Sequence, residues 1–129
     1  MAYRLGIVTA LAALLGAGAA SAHHLSSAFF DVDERFTLTG ELVRIDWRNP
    51  HIELSVDVAD EQGQLVTWRL EGPSPGELRE YIPRSDLADA IGKPIDVEAS
   101  PARDGSQWGL LRMLTLPGGN PVPLCPANC

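Results

Sequence analysis

His23 and His24 are two of the three histidines in the chain, and the third, His51, follows directly on Asn49-Pro50. Imidazole is a nitrogen donor for transition metals, and a histidine at the first position of a chain offers two donors at once. Its α-amine and its ring Nδ1 close one chelate ring on a metal ion. One further imidazole, from His51 or His24, would complete three nitrogens in a plane. Such a histidine brace suits Cu(II), which favours tetragonal nitrogen sites and heads the divalent affinity order. An α-amine has a reference pKa of about 7.7–8.0, low enough for a bound metal to displace its proton. The competing reading makes His23 and His24 a polar arm without a ligand and gives His51 a hydrogen bond that holds the Asn-Pro-His turn. Neither a His-x-His nor an H-E-x-x-H spacing occurs, which argues against a zinc hydrolase.

Cys125 and Cys129 are the only cysteines, spaced C-x3-C near the end of the sequence. In an oxidising compartment a disulfide is the expected state, closing a small loop that constrains little of the chain. The alternative is a Cu(I) or redox pair, because thiolates at this spacing present two soft donors. Trp47 and Trp68, with Asn49 beside the first, offer a face on which a ligand could stack, although aromatic residues on strands more commonly pack a core. The acidic run at 31–34 lacks the twelve-residue calcium loop and its glycine, so it reads as a solvated turn. No nucleophile-elbow, Walker or dinucleotide-binding glycine pattern is present, and Asp46, Glu53 and Asp57 form no recognisable acid–base pair. An enzyme is not indicated.

A brace needs His23 to become the first residue, and the preceding sequence supplies a reason. Arg4 gives a short positive start, Leu5 to Leu15 is an apolar core, and Ala20-Ser21-Ala22 is a small-residue cleavage pattern. The expected signal peptide is 1–22. Its apolar run is too short to span a bilayer, and no later segment approaches the required length. The mature chain would be exported to the periplasm of a Gram-negative bacterium, or secreted, as one domain-sized unit. Net charge is −7, and the signal segment holds one base and no acid, so the remainder is one unit more negative. That charge disfavours nucleic acid and anionic membranes as partners.

The elements that must position these residues are mostly strands. After an arm at 23–35 without clear period, Arg35 to Trp47 alternates, with Phe36, Leu38 and Leu42 on one side. Asn49-Pro50 breaks this strand. His51 to Asp60 then sets Ile52, Leu54, Val56 and Val58 against Glu53, Ser55 and Asp57, and a polar loop leads to a third strand bearing Val66, Trp68 and Leu70. Ser74, Pro75 and Glu77 form a helix start of the capping-box type, and Pro83 stops that helix, with one more turn expected after it. Pro94 to Ser100 and Gln107 to Leu116 read as the fourth and fifth strands around an Asp104-Gly105 turn, and the tail at 117–129 reads as irregular. This order implies a mainly β fold, a small five-stranded OB-type barrel over 36–116 with one short helix between strands three and four. A small open sandwich is the competitor.

Several stretches also carry a resemblance. Ala22-His23-His24, Trp47 with Asn49-Pro50-His51, Trp68 followed by Ser74-Pro75, and Arg103-Asp104-Gly105-Ser106 occur in the order found in a family of small exported bacterial proteins catalogued as a domain of unknown function. The similarity spans nearly all of residues 22 to 116. It implies export and a compact β fold, and no established activity. The Cys125 and Cys129 tail departs from the pattern. Function is therefore expected to be binding: copper through His23, His24 and His51, or else a metal-free interaction or small-ligand module with an unidentified periplasmic partner.

Overall fold

The computed structural model describes residues 25–125. Its main element is an antiparallel meander of β1 (Phe36–Asp46), β2 (Glu53–Ala59) and β3 (Leu65–Glu71), as the alternating pattern implies. Two short helices follow, α2 (Pro75–Tyr81) and α3 (Arg84–Asp89), and then β4 (Pro94–Pro101) and β5 (Trp108–Thr115). The strand order is β3-β2-β1-β4-β5, and β3 also pairs in parallel with β5, which closes the sheet into a five-stranded barrel of the OB type.

β1 serves two neighbours. Phe36 to Glu41 pairs with β4, and Glu41 to Asp46 pairs with β2. The change of partner coincides with a bulge between Leu42 and Arg44. The extra residue leaves both Val43 and Arg44 outside and returns Ile45 to the core side, so the alternation that begins at Phe36 shifts by one after Leu42. Gly40 lies where β1 crosses β2, and a Cβ there would run into the Asp57 carbonyl oxygen and the Val56 and Val58 side chains. Leu42, Leu54, Val56, Leu70, Leu111 and Leu114 fill the interior, and Leu78 of α2 and Leu87 of α3 are buried in the same cluster. Ser74 caps α2 by accepting from the Glu77 amide at 3.2 Å, with Pro75 in the first turn.

Both terminal segments are more ordered than their sequences suggest. The arm forms α1 (Leu25–Phe29), and Phe30 then bridges to Ala102 and is 1% exposed. Its ring lies 4.5 Å from that of Trp108, over a second small cluster with Ala102 and Leu110. A single large apolar residue carries this anchor, and one residue has no period to detect. The tail forms β6 (Val122–Pro123) on β5, and Leu124 is buried with its amide donating to the Arg112 carbonyl at 2.9 Å. There the prolines mask a strand addition too short to alternate. The signal segment at 1–22, His23, His24 and Cys129 lie outside the described residues.

Phe30→Ala should lower the free energy of unfolding by about 3 kcal/mol, the range for emptying a buried aromatic site. It should also release α1 from the barrel. Urea titration followed by intrinsic tryptophan fluorescence, to which Trp108 contributes, checks both, and an unchanged midpoint with an unchanged spectrum would show that the arm is not anchored there.

Candidate functional site

The backbone ladder of β2 and β3 continues beyond the strands themselves. The Ile52 amide donates to the Pro73 carbonyl at 3.0 Å, and the Gly72 amide donates back to the Ile52 carbonyl at 3.0 Å. Ile52 is buried, which pins this end of β2 and brings the preceding His51 beside Gly72. A Cβ on Gly72 would meet Ile52 Cγ1 at 2.8 Å, so the close approach requires glycine. Asn49-Pro50, immediately before, is a cis peptide.

His51 Nδ1 lies 3.1 Å from the Gly72 carbonyl oxygen. A carbonyl only accepts, so Nδ1 carries the hydrogen and donates. In the neutral ring the lone pair then belongs to Nε2, which lies 3.9 Å from Glu71 Oε1 on a half-exposed side chain. The expected turn-holding hydrogen bond thus runs to the end of β3 rather than within the Asn-Pro-His turn. Carbonyl-fixed orientation with the second nitrogen outward is the arrangement that metal-bound histidines adopt.

Around His51 the outer face of β2 and β3 is densely charged. Arg69 grips Glu53 with two hydrogen bonds, Nε at 3.0 Å and Nη2 at 2.7 Å, and Arg48 reaches Asp46 at 3.1 Å and Glu53 at 3.7 Å. The bond to Glu53 holds the Arg69 pKa above its ordinary value, with burial opposing and the charges of Glu53 and Glu71 adding. Burial pushes the Glu71 carboxyl up; His51 and Arg69 oppose that shift and Glu53 reinforces it. The Arg69 guanidinium also lies 5.7 Å from the Trp108 ring, whose other neighbours are Phe30 and, at 6.1 Å, Phe29 of α1. A run of contacts therefore joins Phe29 and Phe30 of the arm, through Trp108 and Arg69, to Glu53 on the outer face of β2 and β3.

The remaining residues singled out from sequence each have their own partners. Trp47 packs on the core with the Arg84 guanidinium 4.7 Å from its ring, Asn49 is exposed, and the Trp68 ring lies tilted against that of Phe36 at 4.9 Å. Among the described residues no ring contact joins Trp47 to Trp68. The Arg-Asp-Gly-Ser motif has a structural role. Asp104 accepts from the Ser106 amide and hydroxyl at 2.9 and 2.6 Å, which lowers its pKa, while Gly105 takes φ +74°. Arg103 donates to the Ser27 carbonyl at 2.9 Å and so clamps the arm. Cys125 is near buried Arg112, whose Nη1 donates to its Sγ at 3.0 Å.

Two features had no signal in the sequence. One is Arg112, which sits in an apolar strand that gives no hint of a buried cation. The other is a groove of about 420 Å³ lined by Tyr81, Ile82, Asp86, Lys93, Asn120 and Val122, built from segments distant in the chain. Among the described residues no three His, Cys, Asp or Glu side chains gather closely enough to hold a metal ion, so His51 is the single described donor of the expected brace. No helix among them is long and apolar enough to cross a membrane.

Glu71 gives a pH prediction. With its carboxyl held above the unfolded value, folding favours the protonated form. Its contribution to stability is complete below the unfolded pKa and is lost as pH rises through the folded one. Glu71→Gln should therefore match the wild type near about pH 3 and become progressively more stable than it towards about pH 7. Urea midpoints across that range check this, and a pH-independent difference would contradict the burial effect.

No curated protein sequence matches the chain. Among solved structures, the mitochondrial single-stranded DNA-binding protein Rim1 of S. cerevisiae is similar over 64% of this chain and 93% of its own, at 14% identity and a TM-score of 0.45. A family model matches residues 11–112, which takes in the arm, His51 and the barrel as far as Arg112 of β5, and the chain belongs to that family of unknown function, DUF6152.

Proposed function

We propose that this is an exported binding protein that takes up Cu(II) through a histidine brace. The His23 amine and Nδ1 supply two nitrogens after removal of residues 1–22, and His51 Nε2, or His24, supplies the third. The observation that carries this reading is the hydrogen bond from His51 Nδ1 to the Gly72 carbonyl at 3.1 Å. It orients the ring before any metal arrives and leaves a nitrogen lone pair facing outward, with the Glu71 carboxylate close enough to offset added positive charge. The anchored arm supports the same reading, since α1 begins at Leu25 and its Phe29 approaches Trp108 on the face shared with Arg69.

A second reading is a metal-free module for a small ligand or a periplasmic partner. The groove beside α2 and α3 favours it, because about 420 Å³ lies within the usual range for small-molecule sites. Trp47, Asn49 and Trp68 are the ligand face this reading would use, and among the described residues no ring contact joins the two tryptophans.

Cu(II) titration of protein beginning at His23 tests the proposal. One ion per chain should bind, and a residue added before His23 should weaken binding at least tenfold by turning the chelating amine into an amide; tenfold is about 1.4 kcal/mol. His51→Ala should cause a similar loss if its ring is the third donor, whereas His24→Ala should do so if that ring is. Equal binding by native and extended termini would sink the brace and leave the metal-free module.

A further inference from the structure

The groove beside α2 and α3 has an apolar floor and a charged edge. Ile82 and Ala90 are buried in the main core, and Leu116 and Val122 pack partly buried against the same cluster. All four line the groove. One wall is the end of α2 with α3. The other is the turn after β5, closed by the Gly119 amide donating to the Leu116 carbonyl at 2.9 Å. β6 holds that wall in place through the pairing of Val122 with Leu114. Packed elements therefore shape the cleft before any ligand enters.

Asp86, Asp89 and Lys93 line the same groove with exposed side chains. Among the described residues none of the three is in an ion pair. Asp89 is the last residue of α3, an end at which a carboxylate is unfavourable, so helix stability does not account for it. The apolar floor favours an apolar group over water. The two carboxylates attract a cation and repel an anion, and Lys93 does the reverse. A ligand with one charge therefore meets a like charge, whereas a ligand with both can set each against its opposite. We infer, building on the groove reading of the metal-free alternative, that the groove binds a zwitterion with an apolar body. Its ammonium lies at Asp86 and Asp89, its carboxylate at Lys93, and its apolar part on Ile82, Ala90, Leu116 and Val122. A free amino acid with a large apolar side chain and a short apolar peptide share this chemistry, and about 420 Å³ admits either. His51 takes no part in it.

The test follows the backbone amide resonances of the nitrogen-15-labelled protein in metal-free buffer. The probes are L-phenylalanine, the dipeptide of two L-phenylalanines, phenethylamine, 3-phenylpropanoate and 2-phenylethanol. The amides of Lys93, Gly118 and Gly119 should shift to saturation with a zwitterion, and the tighter of the two identifies the source. The probes with one charge or none should bind at least about fivefold more weakly, which is about 1 kcal/mol. Lys93→Gln should abolish the advantage over phenethylamine, and Asp86→Asn with Asp89→Asn the advantage over 3-phenylpropanoate. All three side chains are exposed, so these variants keep the core intact. A singly charged or neutral probe that binds as tightly as the better zwitterion overturns the proposal and leaves the groove a small-ligand site. An advantage that survives the substitutions overturns it too. If none of the five probes shifts those amides, the proposal and the groove reading fail together, and a dimer that buries them would put a second copy of the chain there instead.

Discussion

The pairing of β3 with β5 is the constraint from which the rest of the molecule follows. It is parallel, joins strands far apart in sequence, and places Leu70 opposite Gly109. A Cβ at Gly109 would lie 3.0 Å from Phe36 Cζ and 3.2 Å from both Ala99 Cβ and Leu70 Cδ2. Three strands therefore converge on a position where a Cβ would fit only if these neighbours gave way. Closure there removes the two sheet edges that would otherwise invite association. It also sets Arg69 beside Trp108, and so connects the charged outer face of β2 and β3 to the surface on which the arm rests.

That surface explains why the outside of a barrel strand holds a cation away from water. Leu110 and Arg112 would face solvent on an isolated barrel. The arm covers the first with Phe30, and arm and tail together cover the second. Arg112 is thus a joint between segments near the two ends of the chain, receiving the Val32 carbonyl from one and the Cys125 sulfur from the other. Hydrogen bonds to neutral acceptors offset only part of the desolvation of a guanidinium.

The barrel was legible because its strands are half buried, and half burial writes a period of two into the sequence. β2 is the clearest case, with Leu54 and Val56 inside and Glu53 and Asp57 outside. The helix start was legible for a different reason: Ser74, Pro75 and Glu77 act locally, so their meaning does not depend on the rest of the chain. The order of Phe30 and Leu124 was not legible, because each is one apolar residue whose partner lies on a distant strand. The charge of Arg112 was hidden for the same reason. At the candidate site, His51 stood out by type, and its Asn-Pro context located it at a strand end. The acceptor of its ring hydrogen, the Gly72 carbonyl, depends on how far the β2–β3 ladder extends and has no local mark.

An anchored arm changes the terms on which a brace could form. With α1 beginning at Leu25, removal of residues 1–22 would leave only His23 and His24 between the helix and the new amine, a span of about 7 Å at full extension. A donor set that includes His51 would draw on the barrel directly. The ring is oriented by Gly72, Gly72 is held by Ile52, and the arm is held near that face by Phe30, Trp108 and Arg69 across the β3–β5 seam. A set completed by His24 would draw on none of these, because all three nitrogens would come from two adjacent residues. The first would be assembled by folding and dissolve with it, whereas the second would persist in an unfolded chain. Copper affinity that collapses at the unfolding midpoint is therefore the mark of His51, and affinity that survives it is the mark of His24.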